Sequence, residues 1–137
     1  MLPMGGVKSV LNFTEREILT RLDAGTGPRW VFDISLNPKQ ARKRELRFLA
    51  DGVADFAAGH DSSLEWADVF DLLIPHQNRV VTAPEVEHVL NSCDLHVQNL
   101  GQRGCLKVFR PGRPGCKGAG LFFRNSFQEF LKQRLVS

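Results

Sequence analysis

Apolar and polar positions recur with two different periods along this chain, and the switches between them mark its elements. Residues 1–12 hold neither period and are expected to form a loose arm. Thr14-Glu15-Arg16-Glu17 is a capping-box pattern, with Phe13, Ile18, Leu19 and Leu22 on one side, so a helix follows and ends at the Gly/Pro-rich stretch 24–28. Residues 30–36 then alternate, with Trp30, Phe32, Ile34 and Leu36 on one face, which predicts a strand that Asn37-Pro38 stops. The longest helix is expected over residues 39–59, with Leu46, Leu49, Val53 and Phe56 as its inner stripe.

After a polar loop at 59–63, residues 64–74 show the spacing of an amphipathic helix that buries Trp66, Val69, Phe70, Leu73 and Ile74. Arg79, Val80 and Val81 suffice for one very short strand. Thr82-Ala83-Pro84-Glu85 is a second capping box and opens a helix to about residue 90 or 91. A tight turn at 92–94 precedes residues 95–103, whose pattern suits either a short helix or a strand. Two β-rich runs, 105–110 and 121–124, flank a Gly/Pro loop. Asn125 or Ser126 then caps a last helix reaching Leu135, with Phe127, Phe130, Leu131 and Leu135 facing the body.

A length of 137 residues fits one domain, and an apolar content of 42% is enough for a packed core. The expected class is α+β: a helix–strand–helix part over 1–61 and a second unit over 62–137, joined in one compact domain. Charge changes the picture more than composition does. Residues 1–50 hold nine basic and five acidic side chains, residues 51–100 one basic and nine acidic, and residues 101–137 eight basic and one acidic. The C-terminal loop carries Arg113 and Lys117 and no acid, so it offers positive charge that a polyanion can take up with release of counterions. In the expected long helix, Lys39, Arg42, Lys43 and Arg44 oppose the dipole at its N-terminus, so helix stability does not explain them; a partner is the expected reason and a solvated face the alternative.

The order helix, short strand, helix, tight turn, helix, strand, long loop, strand over residues 63–124 resembles the winged helix-turn-helix superfamily, with residues 105–123 as the wing. That resemblance covers a little under half of the chain and rests on element order and on the run Val81-Thr82-Ala83-Pro84-Glu85-Val86. It implies that residues 95–103, anchored by Leu95, Val97 and Leu100, read bases through His96, Gln98, Asn99, Gln102 and Arg103. Asn and Gln pair with adenine and Arg with guanine in a major groove. It further implies that Arg113 and Lys117 at the wing tip, with Lys107, Arg110 and Arg124 on its flanks, hold phosphates. The expected activity is non-catalytic nucleic-acid binding in transcription or replication control, to duplex DNA first and duplex RNA as the variant. The rival is an assembly adaptor whose acidic and basic faces meet a protein partner or a second copy.

Other chemistry is thinly represented. Three cysteines, Cys93, Cys105 and Cys116, together with His88 and His96, contain one Cys-x-x-His pair, whereas tetrahedral zinc needs four converging donors. Asp68, Asp71, His60 and His76 are accompanied by no hydrolase motif. No enzyme, metal or cofactor is therefore expected. The first residues lack the pattern of a secretory leader and no apolar run reaches membrane-spanning length, so an intracellular protein with reduced thiols and no membrane partner is expected.

Overall fold

Leu46, Arg47 and Phe48 send alternate side chains to opposite faces of a sheet, and that alternation divides the interior in two. The computed structural model describes residues 1–38, 44–111 and 120–137. Among these the chain is mixed α+β, with seven helices and two antiparallel sheets of three strands each. In chain order they are β1 (Leu2–Pro3), α1 (Met4–Leu11), α2 (Glu15–Asp23), β2 (Val31–Asp33), β3 (Leu46–Phe48), α3 (Ala50–Ala57), α4 (Trp66–Leu73), β4 (Val80–Thr82), α5 (Ala83–Leu90), α6 (Asp94–Gln102), β5 (Val108–Arg110), β6 (Leu121–Phe123) and α7 (Arg124–Gln133).

The first sheet has the order β1-β3-β2. Val31 pairs with Phe48 and Asp33 with Leu46, so one face carries Val31, Leu46 and Phe48. These pack with Val7, Ile18, Leu22 and Val53 from the three N-terminal helices. The other face carries Phe32, which joins a larger core built from α4 to α7. Residues 134–137 close this sheet along the free edge of β2: Val136 N–H donates to Val31 O (2.7 Å), and Trp30 N–H donates to Ser137 O (2.7 Å). Both halves thus share one wall, and the boundary expected near residue 61 is bridged by a common core.

Arg47 projects from the same wall to the end of α5. Its Nε donates to Leu90 O (2.7 Å) and its Nη2 to Asn91 O (3.1 Å), with Glu45 alongside. A guanidinium there meets the negative end of the helix dipole and the carbonyls that no helical N–H reaches. Gly52 matters for a different reason: a Cβ on it would lie 2.2 Å from Arg29 O, so α3 crosses the incoming chain at a distance only glycine allows. Trp30, at the same crossing, has φ +64°, a left-handed conformation uncommon for an aromatic residue. Its indole N–H donates to Ser62 Oγ (3.1 Å), which ties the start of β2 to the loop before α4.

Several expectations need correction. The 39–59 helix does not exist as one element: residues 39–43 lie outside the described residues, residues 46–48 form the central strand of the first sheet, and only Ala50–Ala57 is helical. Tertiary pairing on both sides outweighs the helix propensity of the Arg-Glu-Leu-Arg run. The expected loose arm instead forms β1 and α1, because Val7 finds a buried seat against β3. The strand over 30–36 shortens to three residues. Helix α7 starts at Arg124, and its N-cap position, Phe123, makes no side-chain cap. Ser126 Oγ accepts instead from the Lys107 N–H (2.8 Å), which fastens the base of β5.

Candidate nucleic-acid interface

Thr82 and Glu85 form the reciprocal capping box that their spacing predicts, each side chain accepting from the other's backbone N–H. Thr82 Oγ1 also donates to Glu85 Oε1 (3.1 Å), and the His76 imidazole bonds Glu85 Oε2. Burial raises the Glu85 carboxyl, but the bonds from His76 and Thr82 together outweigh it and hold the group below the usual glutamate value. Helix α5 ends at Asn91 in the left-handed conformation, Ser92 alone makes the connection, and Cys93 occupies the N-cap of α6. The stretch 95–103, ambiguous between helix and strand by pattern, is helical through Gln102, with Arg103 at the C-cap.

Val97 and Leu100 pin α6 into the core beside Val86, Leu90 and Phe122. Gly101 lies inside the helix. A Cβ there would be 3.1 Å from Phe122 and 3.2 Å from Val108, so its absence brings α6 down onto the second sheet. That sheet has the order β4-β6-β5, with Val81 opposite Phe122 on its inner side. Strand β5 is its edge. All three of its residues are exposed, Phe109 to 56%, and Phe109 meets Phe123 edge-on at 5.4 Å while Lys107 Nζ lies over the Phe123 ring.

The positions expected to contact nucleic acid divide into three groups. Gln98, Gln102, Arg103, Lys107 and Arg110 are exposed, along α6 and the strand next to its C-terminal end; Asn99 is half-buried beside them. His96 and Arg124 are turned to other work. His96 is 13% exposed in its side chain, and its Nε2–H donates to Ile34 O (2.8 Å), joining α6 to the first sheet. Arg124 donates to His76 O (3.3 Å), lies 3.8 Å from Asp71 and stacks over Phe70 (4.7 Å). Of the N-terminal cations, Arg44 faces Asp23 at 3.5 Å. Lys39, Arg42, Lys43, Arg113 and Lys117 lie outside the described residues.

Among the described residues, acidic groups stand at the start of α6 and beside His96, where Glu45 lies 4.0 Å away. Glu87 on α5 and Asp94 at the start of α6 sit together; burial, then the Asp94 charge and their shared hydrogen bond, raises the Glu87 carboxyl. Asp94 also accepts from Gln98 Nε2 at 2.8 Å. Asp55 and Asp61 stand elsewhere, lining a cleft of about 330 Å³ with Arg29 and His60 in the N-terminal half. Leu95, expected to anchor α6 with Val97 and Leu100, is instead 64% exposed, because it is out of phase with their helical stripe; Phe109 is a second exposed apolar side chain that pattern did not reveal.

Among the described residues no group of three His, Cys, Asp or Glu side chains is placed to hold a metal. Cys93 is exposed, Cys105 is half-buried near Leu36 O and the Arg134 guanidinium, and Cys116 lies outside the described residues. No described helix is long and apolar enough to cross a membrane. No protein-family model matches the chain, and no curated protein or solved structure matches it either.

Proposed function

We propose that the protein binds duplex nucleic acid, DNA first, without catalysis, as a winged helix-turn-helix unit in transcription or replication control. The observation that carries this reading is the wiring of the second half. Helices α4, α5 and α6 are followed by a sheet in which β6 lies between β4 and β5, the sheet order expected when two strands fold back as a wing beside the third helix. Helix α6 leaves Gln98 and Gln102 outward, and a helix of this diameter fits a major groove. Arg103 at the C-cap of α6, Lys107 just before β5 and Arg110 on β5 add exposed cations beside it. Phosphate contacts from that strand set position, and contacts from α6 select bases.

A second reading has its own support. Leu95 and Phe109 are exposed apolar side chains, the kind of surface that a protein partner covers. Fluorescence anisotropy separates the two. Contacts to about four phosphates lower duplex affinity roughly a hundredfold between 50 and 200 mM salt. Arg103→Ala/Lys107→Ala should weaken binding and reduce the salt slope by about two. Absence of binding to duplex DNA and duplex RNA at tens of micromolar protein overturns the proposal and favours the adaptor.

A further inference from the structure

The outward face of α6 is short of cations and rich in amides. Val97 and Leu100 face the core and His96 is held by Ile34 O, so Leu95, Gln98 and Gln102 form the exposed stripe, with half-buried Asn99 beside it. The first cation, Arg103, stands at the C-cap, beyond the helical face. A guanine edge in the major groove offers two acceptors and is read best by Arg or Lys. Adenine offers an acceptor at N7 and a donor at N6, which one carboxamide matches with its N–H and its oxygen. A thymine methyl group is matched by an apolar side chain, which Leu95 supplies.

Gln98 is already oriented for this. Its Nε2 donates one hydrogen to Asp94 Oδ2 (2.8 Å). Asp94 accepts only, so the amide orientation is fixed, leaving the second N–H and the Oε1 lone pairs to face outward. Those two groups form the donor–acceptor pair that adenine needs. The Glu87–Asp94 carboxyl pair at the head of the helix repels phosphate, which leaves base edges rather than backbone as the partners of this end.

Taking the duplex-binding reading as its base, we infer that α6 selects A·T-rich major-groove sites, with Gln98 and Gln102 on adenines and Leu95 against thymine methyls. The mode belongs to DNA, because the major groove of duplex RNA is too deep and narrow to be read by side chains.

The experiment is a competition by anisotropy with the full chain and two duplexes of equal length and identical flanks, one with an A·T core and one with a G·C core. A third duplex carries 7-deazaadenine in the A·T core, which removes N7 and leaves the minor groove unchanged. The A·T core should bind roughly tenfold or more tightly than the G·C core, and the 7-deaza duplex should lose most of that advantage, keeping only what N6 and the thymine methyls supply. Gln98→Ala/Gln102→Ala should remove the preference by weakening only the A·T complex, whereas Arg103→Ala/Lys107→Ala should weaken both complexes equally. Equal binding to both cores, or a preference that 7-deaza substitution or the glutamine variant leaves undiminished, overturns the inference while duplex binding stands. Failure to bind any of the three removes the duplex reading itself along with it.

Discussion

Gly52 and Gly5 both lie in the first turn of a helix, and replacing each with alanine should have opposite effects. Propensity favours alanine by up to about 1 kcal/mol at either position. Around Gly5 nothing lies within 4 Å of the added carbon, so Gly5→Ala should be neutral or stabilising by up to that amount. At Gly52 the added carbon meets Arg29 O at 2.2 Å, whereas carbon and oxygen pack at about 3.3 Å. Helix and chain must therefore part by about 1 Å. The obstacle is backbone, anchored on the far side by the bond from Leu49 N–H to Trp30 O (3.0 Å), so no side-chain rotation relieves it. Overpacking of this kind costs about 1–3 kcal/mol, sometimes more. Gly52→Ala should destabilise by about 2 kcal/mol net, which lowers the melting temperature by roughly 7 °C for a chain of this size. Urea titration followed by tryptophan fluorescence measures both variants. If Gly52→Ala matches Gly5→Ala, helix α3 does not press on the Arg29–Trp30 backbone and the crossing is wrong.

Arg47→Met keeps the stem of the side chain and removes its donors, leaving Leu90 O and Asn91 O without their guanidinium partner. It should lower the unfolding free energy by about 2–3 kcal/mol, with Arg47→Lys in between; no change in the urea midpoint would refute the capping role. Glu85 ionises more readily folded than unfolded, so its contribution is complete above the unfolded value of about 4.3 and is lost as pH falls through the lower folded value. Glu85→Gln should be less stable than the parent at pH 7 and lose less stability between pH 5 and 3; parallel acid limbs in urea titrations would contradict it.

Much of the second half was legible in the sequence because its signals are local. Thr82 and Glu85 lie three residues apart and cap one helix end by themselves, and Trp66, Val69, Phe70 and Leu73 repeat at helical spacing. The errors arise where distant partners decide. Leu46-Arg47-Phe48 alternates for only three residues, too short to outweigh its helix-forming neighbours, and is a strand because β1 and β2 pair with it. His96 is an ordinary polar position until its partner, Ile34 O, 62 residues away, is known. Arg124 likewise looked available, yet it satisfies a carbonyl in the turn after α4 and a carboxylate on that helix. The exposed stripe of Gln98 and Gln102 follows only once residues 94–102 are seen to be helical, when Val97 and Leu100 fix its phase.

The closure of β2 by residues 134–137 has a consequence for synthesis. Asp33 and Arg134, which face each other across that seam, are separated by 101 residues. A loop of that length costs about 4 kcal/mol to close, so the seam forms after the rest of the chain has gathered. On the ribosome, at about 5–20 residues per second, β2 waits roughly 5–20 seconds for its cover. During that interval its edge is a bare template for any other extended chain. The moment of greatest aggregation risk thus falls in the nascent protein and passes when the tail arrives.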